Sequence, residues 1–256
     1  MRTVSRIETR IRRQNGLTLL EIIFITFVVF LIASLLLPAL SGSTKSPRIK
    51  CINNIKQIAL GSIDYALDNH DQFPPVPEGP NHLPWDIPWG PSVIMEMSGL
   101  TRDIWYDPLF PQQNTDRLWN AASNKFRIVG YAMTYAGANS TLQTSNQIRV
   151  ISTNDLQAPA AAQRVVVADP IISLSGQDDP RKTADYQWRN IPGGLPTGTK
   201  TPLGKWKGFR TSHLTKNEKL PLGGNVGFMD GHAKWFPWSN QIPRTTGINS
   251  TPLFWW

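Results

Sequence analysis

Cysteine is nearly missing from this chain of 256 residues: Cys51 stands alone. One thiol excludes an intrachain disulfide and any zinc site built from several cysteines, so stability has to come from packing, with Cys51 buried and inert. There is no Gly-rich phosphate loop and no internal repeat, which removes the sequence signs of a P-loop or a solenoid. Paired catalytic groups are scarce as well. Asp107, Asp169 and the Asp178-Asp179 pair are available for acid–base work, but no motif sets any of them opposite a partner. Asp178-Asp179 reads as solvated and Asp169-Pro170 as a turn initiator. Neither an enzyme nor a cofactor is expected.

The formal net charge of +8 suggests a phosphate-binding surface until it is located. Residues 1–16 contain Arg2, Arg6, Arg10, Arg12 and Arg13 against Glu8, which is +4, so the remainder carries only +4. That balance is too weak to predict a nucleic-acid partner.

What the sequence does have is one long apolar run. Leu17 to Leu37 is 21 residues with a single charge, Glu21. As a helix rising ~1.5 Å per residue it would span about 30 Å, the hydrocarbon thickness of a bilayer. The preceding arginines then predict an inner-membrane, single-pass protein with a cytoplasmic N-terminus and a periplasmic or extracellular body. An ordinary cleaved signal peptide, with Ala39-Leu40-Ser41 as its cleavage site, fits less well, because the run exceeds the usual ~7–15 apolar residues. A plain signal anchor leaves Glu21 unexplained. A carboxylate inside such a run costs ~2.5–3.5 kcal/mol near a bilayer centre and less near an end. A free α-amino group at Leu17 on a packed neighbour would offset it, and that group exists only if the bond after Gly16 is cut.

Gly16-Leu17-Thr18-Leu19-Leu20-Glu21 resembles the cleavage and methylation motif of type IV prepilins and type II secretion pseudopilins. The resemblance implies a prepilin peptidase that cuts after Gly16, N-methylation of Leu17, and a role for Glu21 in assembly. Family members usually have Phe where this chain has Leu17. Implied partners are the peptidase, other pilin or pseudopilin subunits and inner-membrane lipid. A second resemblance is carried by Cys51-Ile-Asn-Asn-Ile-Lys-Gln-Ile-Ala-Leu-Gly61, Tyr65, Phe73-Pro74-Pro75 and Tyr131-Ala-Met-Thr134. These are similar to bacterial prepilin-type proteins named for a C-terminal His-x9-Asp-Gly motif. Here sixteen residues separate His213 from Asp230, so the motif is stretched.

The expected organisation is a basic leader (1–16), a transmembrane and assembly helix (17–40), an amphipathic helix (41–70) and a β-rich extracytoplasmic domain (71–256). Ile52, Ile55, Ile58, Ala59, Ile63 and Ala66 recur at helical spacing through Arg48 to Leu67. Seven prolines between Pro74 and Pro91 predict an ordered strap, Arg164 to Ala168 a buried strand, and 175–208 a long loop. Asp230-Gly231 between two apolar runs predicts a hairpin with a type I′ turn. The apolar tail Leu253-Phe-Trp-Trp256 is expected to dock on the domain. The predicted fold class is α+β and pilin-like: an N-terminal hydrophobic helix, then a mostly antiparallel sheet with long loops.

Two other functions compete with a structural subunit. Exposed Trp85 and Trp89 would make the outer domain a membrane-anchored glycan- or polymer-binding face. His213, Asp230 and His232 as metal ligands would suggest a hydrolase; the plain alternative is a turn with a strand residue beside it.

Overall fold

The computed structural model describes residues 18–40, 47–79, 82–138, 140–149, 161–191, 209–245 and 251–256. The chain forms two units that divide between Thr44 and Lys45. In the first, helix α1 (Leu19–Leu40) begins with a reciprocal cap. The Thr18 N–H and hydroxyl both donate to Glu21 Oε2, at 2.8 and 2.9 Å, and the Glu21 N–H donates to Thr18 Oγ1 at 3.3 Å. This is the capping box that Thr-x-x-Glu encodes, and it satisfies donors that the first turn would otherwise leave orphaned. The same bonds hold the Glu21 carboxyl below its ordinary range.

The expected membrane-crossing helix is corrected here. Among the described residues no helix is long and apolar enough to cross a membrane. The inner-membrane single-pass localisation depended on that span and falls with it. The leader, Gly16 and Leu17 lie outside the described residues.

The second unit is built around α2 (Pro47–Asp68). Proline suits the first helical position, where its missing N–H is not needed. Cys51, Ile55, Ile58, Ala59, Ser62 and Ala66 form one buried stripe, the helical spacing read from the sequence. That stripe lies on an antiparallel sheet of order β3-β4-β8-β9, with β3 Ala132–Met133, β4 Val165–Ala168, β8 Gly223–Phe228 and β9 Ala233–Pro237. Every residue of β8 is buried. At Gly227 an added Cβ would lie 2.9 Å from Ile55 Cγ2 and 2.9 Å from Val167 Cγ1. Helix and sheet approach this closely because that position has no side chain.

Among the described residues three two-stranded antiparallel sheets accompany that sheet: β1 (Asp86–Pro88) with β2 (Phe126–Ile128), β5 (Ile171–Ser173) with β10 (Leu253–Trp255), and β6 (Arg189–Ile191) with β7 (Phe209–Arg210). The fold is therefore mixed helix and sheet with several small sheets. It is not a long hydrophobic helix followed by one mostly antiparallel sheet, and the expected fold class is corrected accordingly. With 21 prolines in the chain, ladders stay short because each proline removes a donor.

The hairpin forms where Asp230-Gly231 predicts it, but with a different turn. Of the two residues only Gly231 has positive φ, at +82°. The Gly231 N–H donates to the Phe228 carbonyl and the Phe228 N–H to the His232 carbonyl, both at 2.9 Å. That is a three-residue loop with glycine in the left-handed position, not a type I′ turn. The tail docks as β10, and Trp255 and Trp256 are buried. Trp85 is buried too, with ring centroids 4.8 Å from Phe254 and 5.6 Å from Phe209. Trp89 lies under the Arg127 guanidinium at 4.5 Å. The two rings therefore do not form the exposed platform that a glycan-binding face requires.

If α2 on β8 organises the body, Ile55→Ala should lower the unfolding free energy by ~2–5 kcal/mol. The shift in urea midpoint at unchanged slope measures it.

Candidate metal centre

Four side chains from distant parts of the second unit converge beneath α2. Cys51 comes from the buried stripe of that helix, Asp107 from the segment after the 3-10 turn Arg102–Trp105, Asp169 from the residue after β4, and His213 from the turn after β7. One potential ligand atom from each lies within 4.8 Å of all the others, and among the described residues this is the group of ligating side chains so arranged. Cys51, Asp107 and Asp169 are buried, and the His213 side chain is 6% exposed.

Each carboxylate is held by its own donors. Asp169 Oδ2 accepts the Asn225 backbone N–H at 2.7 Å and the Asn225 Nδ2 amide at 2.9 Å. Its Oδ1 accepts the Cys51 thiol at 2.8 Å. Asp107 Oδ2 accepts the Ser212 hydroxyl at 2.6 Å, and its Oδ1 accepts the Leu109 N–H at 2.9 Å. His213 Nε2 is 3.1 Å from Asp169 Oδ2, yet this nitrogen does not meet hydrogen-bond geometry there. The distance is that of a close ionic contact without the directionality of a hydrogen bond. His213 also holds a left-handed backbone, φ +53°, a conformation that non-glycine residues keep only where their surroundings impose it.

The electrostatics follow from burying like charges together. Burial, then Asp169, pushes the Asp107 carboxyl up to about 6. Burial, then Asp169 and Asp107, pushes the Cys51 thiol well up. For His213 burial opposes the charge, but the Asp169 carboxylate outweighs it and the net direction is upward. A thiol, an imidazole and two carboxylates at these separations can either share protons or bind a divalent cation.

The rival ligand set weighed from the sequence, His213 with Asp230 and His232, is thus not the one assembled. His213 is in the cluster, but Asp230 and His232 pair with each other at the exposed hairpin turn, and His232 stacks on Phe228 at 4.3 Å. Asp169 is no mere turn initiator, and Cys51 and Asp107 belong with it. Sequence reasoning missed the grouping, although both aspartates share one local signal: each precedes a proline, Pro108 or Pro170, which biases the backbone toward an extended form. Glu21, the expected assembly residue, lies in the other unit as part of its capping box.

No family model, no curated protein and no solved structure matches the chain.

In buffer with a chelator, the raised Asp107 carboxyl has a definite sign. The folded state holds that proton to about pH 6, whereas an unfolded aspartate loses it near ~3.9. Its contribution is fully present below the lower value and lost as pH rises through the upper one. Between ~pH 4 and 6, wild-type stability should therefore decline relative to Asp107→Asn, measured by urea unfolding at each pH.

Proposed function

We propose that the chain is a structural subunit of a pilus- or pseudopilus-type filament, cut after Gly16 by a prepilin-type peptidase and N-methylated on Leu17. The observation that carries the reading is the surface of α1. Leu19 and Leu20 are 79% and 77% exposed, and Ile22, Ile23, Phe24, Ile25, Phe27, Val29, Phe30, Leu31 and Ile32 are exposed as well. An apolar stripe buries one side of a helix; a helix that is apolar all round is stable only when covered on every side. Equivalent helices of neighbouring subunits give that cover in a filament, with ~25 cal/mol gained per Å² of apolar surface removed from water.

The motif Gly16 to Glu21 supports the same reading by resemblance, and the capping box adds a physical detail. Glu21 has a local partner in Thr18, so its carboxylate is satisfied in the single subunit. In the assembled state it would also face the methylated ammonium of a neighbour. The subunit keeps one helix start before and after assembly, and only the charge pairing is new.

Glutamine caps a helix as glutamate does but carries no charge. Glu21→Gln should leave processing intact and reduce filament incorporation as strongly as Glu21→Val; normal incorporation of the glutamine variant would reduce Glu21 to a cap. Intact mass and N-terminal sequencing of the protein from its natural host test the processing directly. An N-methylated Leu17 is expected, and an intact Met1 or a start near Gly42 overturns the proposal.

A further inference from the structure

We propose that Cys51, Asp107, Asp169 and His213 form a structural site for a divalent transition cation of the zinc class. The case is geometric first. Tetrahedral zinc with bonds of ~2.3 Å to sulfur and ~2.0–2.2 Å to nitrogen and oxygen separates its ligands by roughly 3.3–3.7 Å. Four donors already within 4.8 Å of one another reach that arrangement by movements of under about 1 Å. The donor set, one soft thiol, one imidazole and two hard carboxylates, suits a borderline cation better than magnesium or calcium.

The second observation is His213. Its side chain is nine-tenths buried and its Nε2 lies beside Asp169 Oδ2 without a hydrogen bond. A protonated imidazole in that position would direct its N–H at the carboxylate. A nitrogen presented as a ligand beside a second ligand oxygen has no such requirement, and the left-handed backbone of His213 is what delivers it there. An outer layer is present as well. Asn225 fixes Asp169 through two bonds and Ser212 fixes Asp107, the kind of support that orients ligating carboxylates. Lys50, Asn54, Tyr106 and Pro108 line an open cavity of about 620 Å³ whose wall includes the buried Asp107.

Binding replaces protons with the metal. The zinc–sulfur bond forms as the Cys51 S–H bond breaks, the thiol proton passes to solvent, and any proton on Asp107 or His213 leaves with it. Two carboxylates, one thiolate and a neutral imidazole around a dication leave a single net negative charge. The ion would tie α2, the end of β4 and the loops around Asp107 and His213 together, across 162 residues of sequence from Cys51 to His213. It would do so in a chain that cannot form an intrachain disulfide.

The test uses the full chain, purified without chelator and analysed for metal, then stripped and titrated with Zn2+ and Co2+. One equivalent of zinc, a rise in Tm on adding it back, and a thiolate-to-cobalt charge-transfer band are expected. Cys51→Ser should abolish that band, and Asn225→Ala should weaken zinc binding ~10–100-fold by loosening Asp169. Should either variant fail to fold, the wild type decides alone through stoichiometry, Tm and the charge-transfer band. A stripped wild type that unfolds cooperatively but takes up no zinc, or binds cobalt without the charge-transfer band, overturns the site and leaves a proton-sharing acid cluster. The filament reading would survive that failure, because it rests on the other unit of the chain.

Discussion

The close approach of α2 to the central sheet governs the body. With no side chain at Gly227, Ile55 settles against β8 and Val167, and the buried stripe from Cys51 to Ala66 follows the line of that contact. Burying Ile55 and Ile58 completely is worth ~1.5–3 kcal/mol each. The same contact decides where the end of the stripe points. Cys51 is one helical turn before Ile55, so fixing Ile55 on the sheet places the thiol over the end of β4, within 2.8 Å of Asp169.

What gathers there would be costly without compensation. Two buried carboxylates repel each other, and their field raises a thiol and an imidazole alike. A fold keeps such a group only when other interactions hold it in place. Here the Asn225 and Ser212 bonds hold both acids from outside the cluster, so the loops carrying Asp107 and His213 inherit their positions from the sheet. The small outer sheets have a different task. β5 with β10 and β6 with β7 support a second hydrophobic cluster of Ile171, Trp188 and Trp255, against which Tyr186, Leu214 and Trp238 pack.

The two units solve opposite problems. Among the described residues the body buries most of its large apolar side chains, the last tryptophan included, and leaves a few such as Leu67, Met97 and Leu222 exposed, whereas α1 exposes nearly all of its large apolar side chains over 19–32. Its start is nevertheless well defined, because Thr18 and Glu21 satisfy each other across the first turn. The filament proposal draws on that capped beginning and on the uncovered surface over 19–32.

Features that depend on neighbours in sequence were legible. The period of Ile55, Ile58 and Ala59 gave α2, the β-branched run gave β4, Asp230-Gly231 gave the hairpin, and the apolar tail gave a docked end. The turn type was not legible, since a three-residue loop and a type I′ turn use the same dipeptide and differ only in how the strands enter it. The transmembrane reading rested on hydropathy summed along the sequence, and among the described residues no helix is long and apolar enough to cross a membrane. The cluster was out of reach for a further reason. Spacing can pair residues one turn or one strand apart, but Cys51, Asp107, Asp169 and His213 are 44 to 62 residues from one to the next. The sequence by itself determined the helical stripe of α2, the strand β4 and the place of the hairpin, because those follow from local sterics and hydrogen bonding. Only the tertiary structure decided which charged groups share a buried space, because that depends on how closely a helix can approach a sheet at a glycine.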